Sequence, residues 1–158
     1  MSFKNCLIVV PMKNLNRSKS RLEKYVTKEI KNKIVLKLFS NTLKKINKVT
    51  NFIDGDFNLA VLTSCDQIKE FVRKKNISII KDKYDHSLSN SIQFAADWAV
   101  KKNYLSICIF PADIACLNEE DVKRMQEEAK LHEEEDQKRK ALKKRSSLKR
   151  RTTERNLT

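Results

Sequence analysis

Apolar residues occur along this chain in short uninterrupted runs that alternate with longer periodic stretches. The first run covers residues 6–10 and ends at Pro11, as expected of a strand buried on both faces. From residue 27 to about 47 the apolar positions recur at the spacing of an amphipathic helix, for which Thr27 is a suitable N-cap. The chain is therefore predicted to open with a central strand followed by a helix.

The same alternation continues through most of the chain. The pattern predicts a turn at 54–56, strands at 57–63, 77–80 and 105–110, and helices at 67–75, 91–102 and 118–132. Asn118 can cap the last helix, whose first turn is acidic. The order predicts a Rossmann-like α/β fold with three layers, α/β/α, around a mostly parallel sheet.

Parallel sheets bind ligands beyond the carboxyl ends of their strands. In this chain, those ends are followed by residues 11–21, 63–66, 82–90 and 111–116. Candidate functional residues are therefore expected in these four segments.

Composition divides the chain into a body and a tail. The 158 residues carry a net charge of +14, and ten of the basic residues lie between Lys138 and Arg155, where Glu154 is the only acid. We expect an α/β domain at residues 1–132, followed at 133–158 by a charged basic tail in which a frayed helix passes into disorder. With 40% hydrophobic residues, the chain has enough apolar side chains for a folded core.

No apolar stretch approaches the ~20 residues needed to cross a bilayer, so we expect a soluble, cytoplasmic protein with no membrane partner. The four cysteines are Cys6, Cys65, Cys108 and Cys116. They form no C-x-x-C pair, which favours reduced thiols over a zinc site or a disulfide framework.

Residues 11–22, here called the basic loop, follow the first strand and combine four cations with two hydroxyls. The cations are Lys13, Arg17, Lys19 and Arg21, and the hydroxyls belong to Ser18 and Ser20. Lysine offers a compact charge and arginine a planar fork, so Lys13, Lys19 and Arg21 could neutralise a triphosphate. The alternative is a solvated surface loop. Neither a P-loop nor a dinucleotide-binding glycine pattern is present.

Asp113 follows the fourth strand and is predicted to lie at the same sheet edge as the basic loop. A single carboxylate is a suitable ligand for Mg²⁺, which usually keeps waters and completes its shell with substrate phosphates. The alternative is a helix cap or turn former. Placed opposite the basic loop, Asp113 would complete a cation-assisted phosphate site.

Three short motifs resemble one known family. Residues 8–13, Ile-Val-Val-Pro-Met-Lys, and 19–22, Lys-Ser-Arg-Leu, are similar to the V-P-x-K and K-S-R-L of the 2-phospho-L-lactate/phosphoenolpyruvate guanylyltransferases of coenzyme F420 biosynthesis. Residues 111–113, Pro-Ala-Asp, look like that family's second motif, and the likeness covers about 3–125. The resemblance implies a nucleotide-diphospho-sugar transferase-like fold, related to the molybdenum-cofactor guanylyltransferases.

The resemblance also assigns roles to residues. Lys13, Lys19 and Arg21 would be the catalytic cations that hold the triphosphate, and Asp113 would hold Mg²⁺. The family's Gly-Leu-Asn segment corresponds here to Ser87-Leu88-Ser89-Asn90, without the glycine. The nucleotide-binding set implied by the resemblance is Pro11, Lys13, Lys19, Ser20, Arg21, Ser89 and Asn90.

The implied reaction transfers GMP from GTP to 2-phospho-L-lactate, phosphoenolpyruvate or 3-phosphoglycerate and releases pyrophosphate. Family members continue with further strands that complete the acceptor pocket, and we expect this chain to be truncated before them. Two alternatives are a non-catalytic nucleotide-binding remnant and weak nucleic-acid association through the basic tail. The sequence does not decide which base the nucleotide carries, which acid accepts the GMP group or whether the protein forms a homodimer.

Overall fold

Strands and helices alternate in the computed structural model, which describes residues 4–52, 57–84, 87–114 and 118–155. The strands are β1 (Lys4–Pro11), β2 (Phe57–Thr63), β3 (Ser78–Lys81) and β4 (Tyr104–Ile109). The helices are α1 (Lys28–Phe52), α2 (Asp66–Arg73), α3 (Leu88–Lys101) and α4 (Glu119–Arg155), with a 3₁₀ helix (Ser20–Lys24) before α1. Each predicted strand and helix is present. The predicted turn at 54–56 and Cys116 lie outside the described residues.

The four strands form one parallel sheet in the order β3-β2-β1-β4. At its centre Val9 of β1 lies between Ala60 of β2 and Ile109 of β4. Parallel neighbours need crossover connections, and the helices supply them. The predicted parallel α/β class and the central position of β1 are both confirmed.

Side chains of β1 alternate between two hydrophobic layers because successive residues of a strand point to opposite faces. Ile8 packs on one face in a cluster that includes Phe39 of α1, Ile68 of α2 and Val122 of α4. Val9 packs on the other face, in a cluster that includes Ala95 and Ala99 of α3. The sheet is therefore covered on both faces, as the uninterrupted apolar run of β1 predicts.

Two helices begin at the predicted caps. The hydroxyl oxygen of Thr27 accepts a hydrogen bond from the backbone N–H of Ile30 at 3.3 Å. Asn118 Oδ1 accepts from the N–H of Asp121 at 2.8 Å, while the Asp121 carboxylate accepts from the N–H of Asn118 at 3.1 Å. This reciprocal pair is a capping box that satisfies backbone donors at the start of α4.

The predicted end of the last helix near residue 132 is wrong, because α4 continues to Arg155. Residues 133–155 contain no glycine or proline and are rich in Glu, Lys and Arg, which favour helix even where no apolar face is present. Their polarity is therefore compatible with an exposed helix as well as with the expected disorder. The division into a body and a tail at residue 132 stays a prediction. None of the described helices is long and apolar enough to cross a membrane.

Candidate functional site

Three loops meet at the carboxyl ends of the strands. The N–H of Met12, after β1, donates to the carbonyl of Leu62 at 2.9 Å. After β4, the N–H of Phe110 donates to the carbonyl of Val9 at 2.9 Å, and after β3 the N–H of Asp82 donates to that of Thr63 at 3.1 Å. These bonds extend the sheet ladder into the loops and fix where each loop leaves the sheet.

The basic loop is folded onto the body by a compact turn. The Asn14 carbonyl accepts from the N–H groups of Arg17 and Ser18 at 2.9 and 3.1 Å, and Asn14 Oδ1 accepts from the N–H of Asn16 at 3.0 Å. Leu15 is buried beneath the turn. An asparagine that bonds its own backbone two residues on is typical of turns. The loop is thus an ordered platform for its cations.

Lys19 carries the closest contact across the site. Its Nζ lies 2.6 Å from Oδ2 of Asp113, and both side chains are partly exposed. The backbone of Lys19 is left-handed, with φ of 53° and ψ of 40°, where it precedes the 3₁₀ helix. Residues other than glycine seldom adopt this conformation, so the loop holds Lys19 in an unfavourable backbone geometry. The sequence prediction that Asp113 and the basic loop lie at one sheet edge is confirmed.

An edge cavity of about 560 Å³ lies beside this pair. Its wall combines cationic, hydroxyl, carboxylate and apolar side chains: Pro11, Met12, Lys13, Arg17, Ser18, Lys19, Val35, Leu88, Ile92, Ile109, Pro111, Ala112 and Asp113. An apolar floor with a few charged groups at the rim is typical of sites for small polar ligands. The three cations outnumber the single carboxylate, so the rim favours a polyanion.

The predicted site residues divide into two groups. Pro11, Lys13, Lys19 and Asp113 line the edge cavity. Ser20 and Arg21 lie in the 3₁₀ helix with exposed side chains and do not line the edge cavity. Ser89 and Asn90 lie in the first turn of α3 and do not line it either. Their contacts with a nucleotide stay predictions.

Helical geometry explains why α3 presents other residues to the cavity. Leu88 and Ile92 are four residues apart and therefore lie on one face of the helix, where both line the wall. Ser89 and Asn90 point in other directions from the same turn. The backbone N–H of Asn90 donates to the hydroxyl of Ser87, which caps the helix, at 3.3 Å.

Sequence reasoning missed Arg17 and Ser18 as cavity residues. Both line the edge cavity between Lys13 and Lys19. The signal was present, since both stand in the basic loop between its two motifs. Arg17 is therefore the third cation of the cavity wall, a role that the sequence analysis assigned to Arg21.

Asp82 is a second carboxylate near this edge. One of its oxygens accepts from the Ser91 hydroxyl at 2.6 Å and the other from the N–H of Tyr84 at 2.8 Å. Asp82, Ser91 and Lys13 line a small recess next to the edge cavity. The Asp82 contacts tie the loop after β3 to α3 and so fix the cavity wall that α3 forms.

The residues present fit a magnesium site of the kind that substrate completes. Among the described residues no three His, Cys, Asp or Glu side chains cluster as ligands, so Asp113 would be the protein's carboxylate for the ion. Mg²⁺ often takes one or two carboxylates together with waters and substrate phosphates. Its binding at Asp113 requires the ammonium of Lys19 to move away from the carboxylate.

The chain is similar in sequence to guanylyltransferases. A family model described as "Guanylyl transferase CofC like" matches residues 6–134. A 3-phospho-D-glycerate guanylyltransferase from Colwellia psychrerythraea strain 34H is 27% identical over 118 residues, which cover 75% of this chain and 54% of that protein. The chain thus spans about half the length of this curated relative.

A solved structure shows the same fold. The protein, described as a nucleotide-diphospho-sugar transferase from Desulfovibrio desulfuricans G20, matches with a TM-score of 0.59 and 15% identity. The match covers 78% of this chain and 53% of that one. The helical layers and the parallel sheet of this chain are therefore a fold that it shares with that protein.

Proposed function

Because the chain belongs to the CofC-like guanylyltransferase family, we propose that it transfers GMP from GTP to a phosphorylated small acid and releases pyrophosphate. The observation that carries this proposal is the edge cavity, where Lys13, Arg17 and Lys19 surround an apolar floor and Asp113 stands opposite. A nucleoside triphosphate offers the matching chemistry, with a flat base for the apolar surface and a polyanion for the cations.

The proposed reaction is a substitution at phosphorus. An oxygen of the acceptor's phosphate or carboxyl-phosphate group attacks the α-phosphorus of GTP, the bond to the bridging oxygen of the β-phosphate breaks, and pyrophosphate leaves with that electron pair. The acceptor oxygen is already anionic, so no general base is needed. Catalysis then depends on positioning the reactants and stabilising charge.

In the proposed reaction, Lys13 and Lys19 hold the triphosphate against the repulsion between its phosphates. Both line the edge cavity, and their ammonium groups are flexible point charges that can follow phosphates as charge moves to the leaving group. Mg²⁺ at Asp113 would supply further neutralisation of phosphate charge. We keep Arg21 as a candidate for the leaving pyrophosphate, reached by movement of its exposed side chain.

The acceptor proposed for the first test is 3-phosphoglycerate. The curated relative acts on 3-phospho-D-glycerate according to its name, and the family implies a phospho-acid acceptor. We retain 2-phospho-L-lactate and phosphoenolpyruvate beside it, with coenzyme F420 biosynthesis as the proposed pathway. The three acids share a carboxylate and a phosphate, so a basic rim suits each of them.

Calorimetric titration with GTP and Mg²⁺, followed by a pyrophosphate-release assay with each of the three acids, tests the proposal. We expect GTP to bind and at least one acid to give turnover. Lys19→Met should weaken GTP binding by about tenfold, corresponding to ~1.4 kcal/mol. Lys24→Met is the matched control, because Lys24 is an exposed lysine at the end of the 3₁₀ helix that follows Lys19 and does not line the cavity.

The outcomes separate the alternatives. GTP binding without pyrophosphate release would support the nucleotide-binding remnant instead of the transferase. Absence of GTP binding would contradict the proposal, as would equal effects of Lys19→Met and Lys24→Met.

A further inference from the structure

Lys31 is a fully buried lysine beneath the basic loop. It lies near the start of α1 with 0% of its surface exposed, and it is the one charged residue among the buried polar residues described. A buried ammonium is strongly unfavourable unless it is paired and hydrogen bonded. Its contacts therefore identify what the fold requires of it.

Both contacts of the Lys31 ammonium are to the chain segment that carries the cavity cations. Its Nζ donates to the backbone carbonyl of Asn16 at 3.2 Å and to Oε1 of Glu23 at 2.6 Å. Asn16 comes just before Arg17, and Glu23 lies in the 3₁₀ helix that begins after Lys19. These two contacts attach both ends of residues 16–23 to α1, so this segment, here called the ring, is closed by the Lys31 ammonium.

Three members of this ring form part of the cavity wall. Arg17, Ser18 and Lys19 line the edge cavity, and Lys19 reaches across to Asp113. Lys19 holds its left-handed backbone inside the ring. Such a conformation persists where the surroundings over-determine it, and here the two pinned ends supply that constraint.

We propose that Lys31 is a positioning residue that sets the backbone of the basic loop so that Arg17 and Lys19 meet the phosphates of the nucleotide. The proposal deepens the proposed function and rests on it for the identity of the ligand. Lys31 itself has no access to a ligand, because its side chain is wholly covered. Its effect on binding must pass through the loop.

The test compares Lys31→Met with Lys33→Met. Methionine keeps much of the length and apolar body of lysine but removes the ammonium, and the partner Glu23 is 44% exposed, so water can solvate its carboxylate. Lys33 is the matched control, because it lies on the same helix and pairs with Glu29 while 73% of its side chain is exposed. Both variants remove one positive charge from α1.

We expect amide hydrogen exchange of residues 17–23 to accelerate in Lys31→Met and to stay unchanged in Lys33→Met. Titration with inorganic tripolyphosphate and with GTP should show affinities lowered by about tenfold or more in Lys31→Met only, because misplaced binding groups lose much of their effect. Affinity for guanosine should be unchanged in both variants. A merely stabilising role would lower the melting temperature without this selective loss for the polyphosphate ligands.

Glu23→Gln is the second variant, because it keeps an oxygen acceptor at the Lys31 ammonium while removing the carboxylate charge. We expect exchange and tripolyphosphate affinity between those of the unaltered protein and Lys31→Met. This variant decides the question if Lys31→Met fails to fold by circular dichroism. Equal tripolyphosphate affinity in Glu23→Gln and the unaltered protein would then overturn the proposal.

The remaining outcomes separate this proposal from the proposed function. If the unaltered protein binds tripolyphosphate but not GTP, the guanylyltransferase function fails, and a selective loss in Lys31→Met still supports the positioning role. Unchanged exchange and unchanged affinity in Lys31→Met overturn the positioning role alone. If the unaltered protein binds neither ligand, both proposals are overturned.

Discussion

Lys19 and Asp113 neutralise each other across the site. In the proposed reaction Lys19 instead binds the triphosphate, and Asp113 would bind Mg²⁺. Their side chains are 39% and 47% exposed. An ion pair this open to water contributes only ~0–1 kcal/mol, because solvent screens it. A triphosphate and a divalent cation can therefore replace the pair at little cost.

Asp113→Asn tests this exchange at the residue scale. The amide is nearly the size of the carboxylate but lacks the charge that a hard cation prefers, so GTP binding should lose its dependence on Mg²⁺ while the melting temperature changes little. Titrations with GTP in Mg²⁺ and in EDTA measure this dependence. Asp97→Asn, on an exposed position of α3, is the control. A Mg²⁺ dependence that survives in Asp113→Asn would assign the metal to other ligands.

Glu23 gives the protein a pH dependence with a definite sign. The hydrogen bond and charge of Lys31, with a smaller contribution from Lys28, hold the pKa of Glu23 below its ordinary value of 4.5. A lowered carboxylate pKa means that the pair stabilises the fold above 4.5 and that this contribution is lost as the pH falls through the folded-state pKa.

The matching measurement is the melting temperature of Glu23→Gln against the unaltered protein as a function of pH. We expect the variant to be less stable at about pH 7 and the difference to shrink below 4.5, where the unaltered protein also loses the carboxylate charge. Glu29→Gln serves for comparison, since it removes the same charge from an exposed pair with Lys33. A difference that stays constant with pH would mean that the Glu23 charge does not stabilise the fold.

At the scale of elements, α4 is attached to the body near its start. Val122 is wholly buried against the core, and Lys48 of α1 contacts Glu119 at 2.6 Å. The described side chains from residue 134 to 144 are exposed. Residue propensity keeps this part of α4 helical although it buries no apolar stripe, whereas the start of α4 is held by packing against the core.

A chain ending after His132 is therefore expected to fold and to bind GTP as the full chain does. Its helical circular dichroism signal should fall, because residues 133–155 are helical in the full chain. Val122→Ala in the shortened chain supplies the contrast. We expect the free energy of unfolding to fall by ~1–2 kcal/mol, because two buried methyl groups are removed and leave a cavity. Loss of cooperative unfolding in the shortened chain itself would show that the second half of α4 is part of the core.

At the scale of the whole molecule, strand order assembles the site. The pairing of β1 with β4, seen at Val9 and Ile109, places the loops after these strands next to each other. The basic loop and Asp113 come from these two loops, which are remote along the chain. Covering both faces of the sheet leaves its carboxyl edge as the place where the loops can meet a ligand.

The sequence by itself determined the elements and the edge at which they present chemistry. The apolar run of β1, the caps Thr27 and Asn118, and the placement of Asp113 after β4 were all readable because propensity, capping and periodicity act over a few residues. Parallel pairing followed from the alternation of strands and helices. The family was also readable, since residues 8–13 and 19–22 carry its local motifs.

Tertiary structure alone decided which side chains converge. Arg17 lines the edge cavity and Arg21 does not, because the turn at Asn14 and the start of the 3₁₀ helix at Ser20 set their directions. The burial of Lys31 was equally hidden, since a lysine on an amphipathic helix is ordinarily exposed. Such contacts depend on how α1 packs beneath the basic loop, and no local pattern in the sequence records the relative position of two elements.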